Sequence, residues 1–372
     1  MGFTTVHDRR EVSTAPGWLI RPCVMYCRRM PNIDATRLEA TGTRIFAGMG
    51  APAADAAWIS MLLVRANLRG HDSHGVIRIP QYWASVKDGI VDPVSPVTVT
   101  METPVMARLD GGRGFGQPVA RRGMEMAIAK AKAAGLSAVT LANTSHVGRL
   151  ADYAEMAARE GLIGMLWVNA VHGLNVAPWG GAARRLGTNP HAIAVPGPDG
   201  PAMVLDFATS VVAEGKMRVK KNRKQQAPPG WFLDPGGRPH TDPEVFYGDP
   251  PGSLLAAGDH KGYGLSLAVE ILGGIVSGTG PAGPGKGIFA NGTLMICLDT
   301  TRFLPPADFD KQVAALFEWV KSAPLAQGAT EILIPGEPEA RLETERRRDG
   351  IPVEDETWSQ IQAAAKDLGV TP

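Results

Sequence analysis

The chain has 372 residues, with 38 Lys and Arg against 37 Asp and Glu, and a formal net charge of +1. This balance excludes the chain-wide positive charge of a nucleic-acid-binding protein or of one held on an anionic membrane. No apolar run reaches the roughly 18 residues that a spanning helix needs, and the composition excludes a collagen, a disulfide scaffold and a disordered tail protein.

The first 29 residues differ from the rest of the chain. They show no clear period, and the apolar stretch around Trp18 is broken by Arg21 and Pro22, so it lacks the apolar centre of a signal peptide. We interpret residues 1–29 as a disordered extension or as a mis-called start upstream of Met30.

The remaining chain alternates between helical and strand patterns. Helices are predicted at 34–49, with Asp34 as N-cap, and at 52–68; a third opens at Pro118 and ends at Ala134, with Gly135 as C-cap. Buried strands are predicted at 136–141, 162–168, 204–207, 293–298 and 331–334. Further helices are predicted up to Glu160, from Thr209, at 261–276, near 307–321 and at 355–368. This alternation indicates an α/β fold with a layered sheet flanked by helices.

Two glycine-rich nucleotide-binding patterns and a cysteine metal site are disfavoured by the residues around them. Residues 278–283 match the dinucleotide pattern GxGxxG, but a helix precedes them and Pro281 prevents a helix from starting there. Residues 280–286 resemble a phosphate-binding loop, but Gly287 stands where a Ser or Thr is needed. The cysteines, Cys23, Cys27 and Cys297, lack zinc-site spacing, so we expect no metal and free thiols in a reducing cytoplasm.

Four short segments concentrate polar chemistry. Residues 69–78 crowd His71, Ser73, His74 and Arg78 together, which suits a proton carrier beside a carboxylate clamp. Residues 143–149, around His146, lie between a strand and a helix, where α/β proteins place ligands. The other two segments are 187–190 with 206–210, and 259–264. In the last, a His and a Lys oppose the dipole at a helix start, a conflict that an anion resolves.

Six motifs then occur in one order along the chain. They are 72–78 (DSHGVIR), 146–149 (HVGR), 187–190 (GTNP), 206–210 (DFATS), 260–264 (HKGYG) and 335–337 (PGE). Together they resemble the malate/L-lactate dehydrogenase family, which includes ureidoglycolate and L-sulfolactate dehydrogenases and piperideine/pyrroline-2-carboxylate reductases. The resemblance begins near Met30. It implies a non-Rossmann nicotinamide-binding domain with a mixed sheet, as in L-sulfolactate dehydrogenase, helical N- and C-terminal segments, and a homodimer.

The resemblance also assigns domains and site residues. It implies an N-terminal helical, substrate-side segment at 30–115, a cofactor-binding sheet region at 116–300, and a C-terminal segment at 301–372 that packs back on the N-terminal part. Ser73, His74 and His146 match the family's proton-transfer residues, and Arg78 and Thr188 match its substrate contacts. The residues that match positions holding NAD or NADP are His146, Gly148, Leu150, Asn169, Asp206, Phe207, Ala208, His260, Lys261, Gly336, Glu337 and Pro338.

The implied function is a hydride transfer between a nicotinamide cofactor and a small 2-hydroxy or 2-oxo acid, with His146 as base and His74 as alternative or relay partner. Reduction of cyclic imino acids is the second candidate, disfavoured because Lys216 stands where that branch has an acidic relay residue. The loop at 278–292 also looks shorter than in the family. A non-enzymatic ligand-binding relative is disfavoured because both histidines are present.

A basic run on one predicted helix leaves a further alternative. It consists of Lys216, Arg218, Lys220, Lys221, Arg223 and Lys224. It is interpreted first as a solvated helix end; nucleic-acid binding or a contact with the 2′-phosphate of NADP are the alternatives. We expect no membrane or nucleic-acid partner.

Overall fold

The computed structural model describes residues 32–171, 173–283 and 290–371, and the backbone but not the side chain of Asn222. The predicted extension at 1–29, with Cys23 and Cys27, and residues 284–289 of the loop that looked short lie outside these residues. The helices are α1 (Ala35–Gly48), α2 (Ala53–Leu68), α3 (Ile79–Lys87), α4 (Gly116–Ala134), α5 (Ala151–Arg159), α6 (Glu214–Asn222), α7 (Pro243–Phe246), α8 (His260–Val269), α9 (Pro306–Lys321), α10 (Glu337–Asp349) and α11 (Asp355–Asp367).

The strands form three sheets among the described residues. They are β1 (Asn32–Ile33), β2 (Thr98–Glu102), β3 (Met106–Asp110), β4 (Leu136–Ala142), β5 (Leu162–Ala170), β6 (His191–Gly197), β7 (Gly200–Phe207), β8 (Phe232–Leu233), β9 (Pro239–His240), β10 (Ser253–Leu254), β11 (Asn291–Asp299) and β12 (Ile351–Pro352). The largest sheet has seven strands in the order β2-β3-β4-β11-β5-β6-β7. The pairing is parallel between β3 and β4 and antiparallel elsewhere, which confirms a mixed sheet.

Helices α4 and α5 pack on this sheet and on each other. Small side chains allow the close approach: Ala120, Ala127 and Ala154 are fully buried, and a Cβ on Gly164 would come within 2.8 Å of the Ala154 carbonyl oxygen. This core supports the strand ends where the predicted site residues lie.

A second core joins the two ends of the described chain. Helices α1, α2, α3 and α11 enclose it, and β1 pairs with β12, so Ile33 lies opposite Ile351. Asp34 caps α1 by accepting a hydrogen bond from the Arg37 backbone N–H, as predicted.

The Pro/Gly-rich segment 225–259 carries a small sheet of its own in the order β10-β8-β9. Phe232 and Phe246 are fully buried there and pack edge to face. The segment is thus ordered by a separate apolar cluster.

Two predicted elements are wrong. Residues 331–334 form no strand, although the neighbouring Pro335 carbonyl accepts a hydrogen bond from Val204 N on β7. The helix expected from Thr209 begins at Glu214, because the Thr209 backbone N–H and hydroxyl both donate to the Thr188 carbonyl instead of capping a helix. The helices predicted at 34–49, 52–68, 307–321 and 355–368 are confirmed.

The buried free thiol of Cys297 confirms the prediction for that cysteine, and burial raises its pKa to about 12. No helix in the described part of the chain is both long and apolar enough to cross a membrane.

Candidate active site

The predicted site residues meet at one edge of the seven-stranded sheet. Strands β4, β5 and β7 run parallel to one another, so their carboxyl ends share this edge, where β6 and β11 begin. The loop after β4 carries His146, Thr188 precedes β6, and Asp206 lies near the end of β7. Ligands commonly bind outside the carboxyl ends of strands in α/β folds, which agrees with this clustering.

The two candidate histidines lie side by side. The rings of His74 and His146 are stacked, with centroids 5.5 Å apart and planes inclined by 23°. Ser73 Oγ lies 3.1 Å from His74 Nδ1, within hydrogen-bond distance. Residues that are 72 positions apart in the chain thus form one cluster, in which a proton could pass between neighbouring groups.

Both histidines are neutral at pH 7. Burial, followed by the charge of Arg78, lowers the pKa of His74 to about 3. The same causes, with His74 added, hold the pKa of His146 well below its usual value. A neutral imidazole can accept a proton, so both rings are in the form that a general base requires.

A tyrosine positions the ring of His146. Tyr82 Oη lies 2.6 Å from His146 Nδ1, and Gln117 Nε2 donates to Tyr82 Oη over 2.8 Å. Burial raises the pKa of Tyr82 to about 12, so its hydroxyl remains protonated. The contact at Nδ1 turns Nε2 of His146 away from Tyr82, and it fixes the ring in one orientation.

Arg78 lies beside this cluster without a carboxylate partner. Its Nε donates to the Ser73 carbonyl oxygen over 2.6 Å, and its Nη1 donates to Gln81 Oε1 over 2.7 Å. No described residue accepts from Nη2, and no described carboxylate forms an ion pair with Arg78. Since a guanidinium offers five N–H donors in a planar fork, most of its hydrogen-bonding capacity remains available to a ligand.

The loop that carries His146 rests on the first residue of α4. Gly116 N donates to Ser145 Oγ over 2.9 Å, and a Cβ on Gly116 would lie 2.3 Å from the His146 carbonyl oxygen. Only glycine permits this contact. Gly116 therefore supports the site by letting the loop that carries His146 lie directly against the start of α4.

A buried charge cluster lies next to the histidines. We call it the arginine–carboxylate cluster; it contains Arg65, Arg69, Arg149, Arg159, Asp152, Glu155 and Glu343. Arg149 donates to Asp152 over 2.8 Å and to Glu155 over 3.2 Å, and all three side chains are almost fully buried. Burial alone would lower the pKa of Arg149, but these carboxylates and Asp206 outweigh it and hold the pKa above its usual value.

One group of predicted cofactor residues meets at the start of α5. Asp206 Oδ2 accepts a hydrogen bond from the Ala151 backbone N–H over 2.8 Å. Ala151 follows the buried Leu150, and Gly148 lies two residues before Leu150. Burial raises the pKa of Asp206 to about 6, although Arg149 and the backbone amides favour its charged form. Gly336, with a positive φ of 102°, approaches β7 so closely that a Cβ would lie 3.1 Å from Val204 Cβ.

The neighbouring residues 337 and 338 begin α10. Glu337 Oε2 accepts from the Ile334 backbone N–H over 2.9 Å, and its other oxygen pairs with Lys321. Pro338 lies in the first turn, where a missing N–H costs nothing.

A second group of predicted residues lies between β6 and α8. The Ala257 backbone N–H donates to the Thr209 carbonyl oxygen, and the Thr209 backbone N–H donates to the Thr188 carbonyl oxygen. These two hydrogen bonds connect the segment before α8 to Thr188. His260 and Lys261 are exposed at that start, and no side chain caps the helix. Phe207, followed by Ala208 at the end of β7, is partly exposed and packs on His191, with ring centroids 4.4 Å apart.

Asn169 is held by a buried polar network. Its Nδ2 donates to Glu270 Oε2 over 3.3 Å and to the Gly280 carbonyl over 3.0 Å, and its Oδ1 accepts from Gly292 N over 3.0 Å. Glu270 begins a π-helical turn, Glu270–Ile275, that continues α8. A helix therefore precedes the GxGxxG match at 278–283, which confirms the context argument against that match.

Known proteins resemble this chain in sequence and in structure. A family model described as malate/L-lactate dehydrogenase matches residues 33–362. The chain belongs to this family. Hydroxycarboxylate dehydrogenase B of Escherichia coli (strain K12) is 36% identical over 343 residues, covering 91% of this chain and 95% of that protein.

Solved structures agree with this assignment. Sulfolactate dehydrogenase from Methanocaldococcus jannaschii superimposes with a TM-score of 0.82 at 33% identity, covering 92% of this chain and 98% of that one. Δ1-Piperideine-2-carboxylate reductase from Pseudomonas syringae pvar. tomato gives a TM-score of 0.77 at 26% identity, covering 90% and 100%. The resemblance inferred from six motifs is confirmed, as is the sulfolactate-dehydrogenase-like fold, and the chain is an enzyme of a dehydrogenase family.

Sequence reasoning missed two polar residues of this dehydrogenase. Tyr82 and Gln117 are both buried and both belong to the hydrogen-bonded chain that ends on His146. A signal existed for Tyr82, because it follows Arg78 by four residues and so lies one helical turn away on the same side. Gln117 carried no comparable signal, since it precedes Pro118 at what looked like a helix cap.

Proposed function

We propose that this enzyme is an NAD(P)-dependent dehydrogenase of small 2-hydroxy acids, such as malate or lactate. The observation that carries the proposal is the pair of neutral stacked histidines beside Arg78, a cation with no described carboxylate partner. A 2-hydroxy acid presents a carboxylate and a hydroxyl proton on adjacent carbons. In this arrangement Arg78 can bind the carboxylate while a neighbouring histidine accepts the hydroxyl proton.

The residues around the site fit a nicotinamide dinucleotide. Helix α8 begins with His260 and Lys261, exposed and without a side-chain cap, which suits a phosphate group. We assign the rest of the cofactor site to residues 146–150, Asn169, residues 206–208 and residues 336–338, with the buried Asn169 acting by shaping the strand end. A nicotinamide held by these residues would supply the acceptor for the hydride that leaves C2 of the hydroxy acid, and the hydride donor for the reverse reaction.

Arg78 and His146 then perform the remaining chemistry. Arg78 binds the carboxylate through its Nη atoms and so fixes C2 and its hydroxyl relative to the histidines. Neutral His146, with its hydrogen on Nδ1 directed at Tyr82 Oη, accepts the hydroxyl proton at Nε2. Once protonated, His146 still donates to Tyr82, which stabilises the imidazolium.

Substrate binding also adjusts the basicity of the histidines. The Arg78 charge is one cause of their low pKa values. A bound carboxylate compensates that charge, so the pKa of His146 rises toward the range where proton transfer is efficient. His74 and Ser73 complete the path as a relay, with Thr188 as a further substrate contact.

Reduction of cyclic imino acids is the second candidate. It is supported by the structural similarity to a piperideine-2-carboxylate reductase, and it is disfavoured by Lys216 at the position of an acidic relay residue. A panel of 2-oxo acids and cyclic imines, each assayed with NADH and with NADPH by absorbance, separates the candidates. Turnover of 2-oxo acids supports the proposal, and turnover of imines alone contradicts it; the same assay decides between NAD and NADP.

We also propose a cytoplasmic homodimer. Helix α9 supports the dimer, because none of its residues is buried and Trp319 and Leu316 are 77% and 56% exposed. Light scattering on the purified protein tests it, and a monomeric mass contradicts it.

A further inference from the structure

Helix α10 lies along the segment that leads from the end of α2 into residues 72–78, which we call the 72–78 loop. This helix is almost entirely polar and buries none of its own residues. Its contacts with the segment come from one face, where Leu342, Glu343 and Arg346 meet Gly70, Arg69 and Asp72 in turn. A helix from the C-terminal part of the chain therefore borders a loop of the candidate active site.

Arg346 binds two groups at the start of this loop. Its Nη1 and Nη2 donate to the two carboxylate oxygens of Asp72, over 2.7 Å and 3.2 Å, and Nη1 also donates to the Asn67 backbone carbonyl oxygen. The Arg346 side chain is only 14% exposed, so this bidentate ion pair is partly shielded from water. Arg346 thus holds Asp72 against the last turn of α2.

The side chain of Asn67 extends this contact into the loop. Asn67 is buried; its Nδ2 donates to Asp72 Oδ1 over 2.7 Å, and its Oδ1 accepts from the Val76 backbone N–H over 2.8 Å. A Cβ on Gly75 would lie 2.1 Å from Asn67 Oδ1, so this close approach requires glycine. One buried amide therefore connects the start of the 72–78 loop to its middle.

The 72–78 loop consists of two short 3₁₀ turns, and each carries a group of the proposed mechanism. The first turn, Asp72–His74, contains the histidine of the relay, and the second, Val76–Arg78, ends on the carboxylate clamp. A 3₁₀ turn has poorer hydrogen-bond geometry than an α-helix and is used in short pieces, so its shape depends on contacts from outside. Both groups are therefore placed by the bonds that hold the two turns.

We propose that Arg346 is a positioning residue for the reaction, and that its contact with Asp72 fixes the 72–78 loop in the conformation that the reaction requires. The inference rests on the proposed function, because that function assigns roles to residues of this loop. Within the described part of the chain, Arg346 bonds to none of the residues assigned to the substrate or to proton transfer. Its effect on catalysis is therefore indirect.

Steady-state kinetics of Arg346→Met, with the 2-oxo acid that the wild type reduces fastest, test the inference. Release of the loop should raise KM, because Arg78 moves, and lower kcat, because His74 moves with it. The expected fall in kcat/KM is about 10- to 100-fold, since a misplacement of about 1 Å can cost as much as 10². A purely structural role would lower Tm and the active fraction, and so kcat, and would leave KM unchanged.

The matched control is Arg348→Met, on the same helix. Arg348 pairs with the neighbouring Asp349, and among the described residues it makes no contact with the loop. Both kinetic constants of this variant should equal those of the wild type. The NAD(P)H dissociation constant should hardly change in either variant.

Asp72→Asn tests the same contact from the other side. It keeps an acceptor for Asn67 and removes the charge that Arg346 binds, so KM should rise as in Arg346→Met. The double variant should lose no more kcat/KM than the more impaired single variant, because both substitutions break one interaction. Arg346→Lys should recover part of the loss, since an ammonium lacks the planar fork.

Amide hydrogen exchange reports on the loop without turnover. Exchange within residues 72–78 should be faster in Arg346→Met than in the wild type and unchanged in Arg348→Met. Unchanged exchange or an unchanged KM in Arg346→Met, or additive losses in the double variant, overturns the inference and leaves the proposed function standing. Absence of wild-type turnover with every 2-oxo acid of the panel, with NADH and with NADPH, overturns the proposed function and this inference with it.

Discussion

Arg78 and Arg149 lie in two neighbouring regions of the site and have opposite electrostatic surroundings. Arg149, three residues after His146, is buried among carboxylates that raise its pKa. Arg78, four residues after His74, bonds only to a backbone carbonyl and to Gln81 among the described residues, and burial lowers its pKa.

The difference separates structural from binding charges. A buried cation that is fully paired holds the fold, because removing it leaves carboxylates uncompensated. A half-buried cation without an acid partner is costly to the free protein, and a ligand carboxylate offsets that cost. The arginine–carboxylate cluster therefore anchors the two segments from which the histidines and Arg78 act: residues 69–78, which follow α2, and the loop after β4.

The largest expected effect is on proton transfer. His146→Ala should lower kcat by a factor of about 10²–10⁴, the usual share of a general base, without lowering Tm. Tyr82→Phe, which keeps the ring and removes the hydroxyl, should give a smaller loss with KM nearly unchanged. Steady-state kinetics on both variants check this; normal turnover of His146→Ala together with an inactive His74→Ala would reverse the assignment.

A substitution in the arginine–carboxylate cluster should lower the stability of the protein. Arg149→Met should lower the free energy of unfolding by about 3–5 kcal/mol, because Asp152 and Glu155 lose a buried partner. Denaturant unfolding measures the change. A stability equal to that of the wild type would show that Arg149 is not a structural charge and would remove one side of the comparison.

Cofactor binding should depend on the start of α8. Lys261→Ala should weaken NAD(P)H binding about 10- to 100-fold, the range of a charge-assisted contact. Gly283→Ala is the control, because it alters the rejected GxGxxG match at a position where a Cβ meets no atom of the described residues within 4 Å. Fluorescence titration measures both dissociation constants, and the opposite pattern would show that the glycine-rich loop binds the cofactor.

The last expected effect is on the pH dependence of stability. The pKa values of His71 and His74 are lowered to about 4 and about 3, below the usual 6.5, so the unfolded chain takes up these protons first. Their contribution to stability is full above pH 6.5 and is lost as the pH falls toward 3. Asp206 has the opposite sign, because its pKa is raised from 3.8 to about 6 and protonation in that window favours the folded state.

One variant separates the contribution of the histidines to the pH dependence of stability from that of Asp206. Asp206→Asn removes the opposing contribution, so its Tm should fall more steeply than that of the wild type between pH 6 and pH 4. Thermal melts of both proteins over this range measure the slopes. Equal slopes would contradict the assignment of a raised pKa to Asp206.

The sequence predicted the elements whose ends carry local signals. Asp34 begins α1 and Gly135, with a φ of 89°, ends α4, as their side-chain chemistry indicates. Helix α10 was missed because it is almost entirely polar and buries no residue, and β2 was missed because all its residues are exposed. The apolar residues 332–334 resembled a strand, but no neighbouring strand pairs with them.

The candidate site was only partly predictable, because sequence patterns indicate contacts within one segment and not contacts between segments that are distant in the chain. Ser73, His74 and Arg78 are close in sequence, so their proximity follows from local structure. The stacking of His74 on His146 depends on the sheet edge, and the link from Gln117 through Tyr82 depends on how α3 packs against α4. Neither contact is encoded in a local pattern.

The most direct test of the account measures Arg78→Lys and Arg78→Met by steady-state kinetics and by thermal melting together. If Arg78 binds the substrate carboxylate, Arg78→Met should lower kcat/KM by about 10²–10³ or more, and Arg78→Lys should recover only part, because an ammonium lacks the planar fork. Tm and the NAD(P)H dissociation constant should hardly change. An unchanged kcat/KM with a lowered Tm would show that Arg78 is a structural charge like Arg149, and would contradict the account.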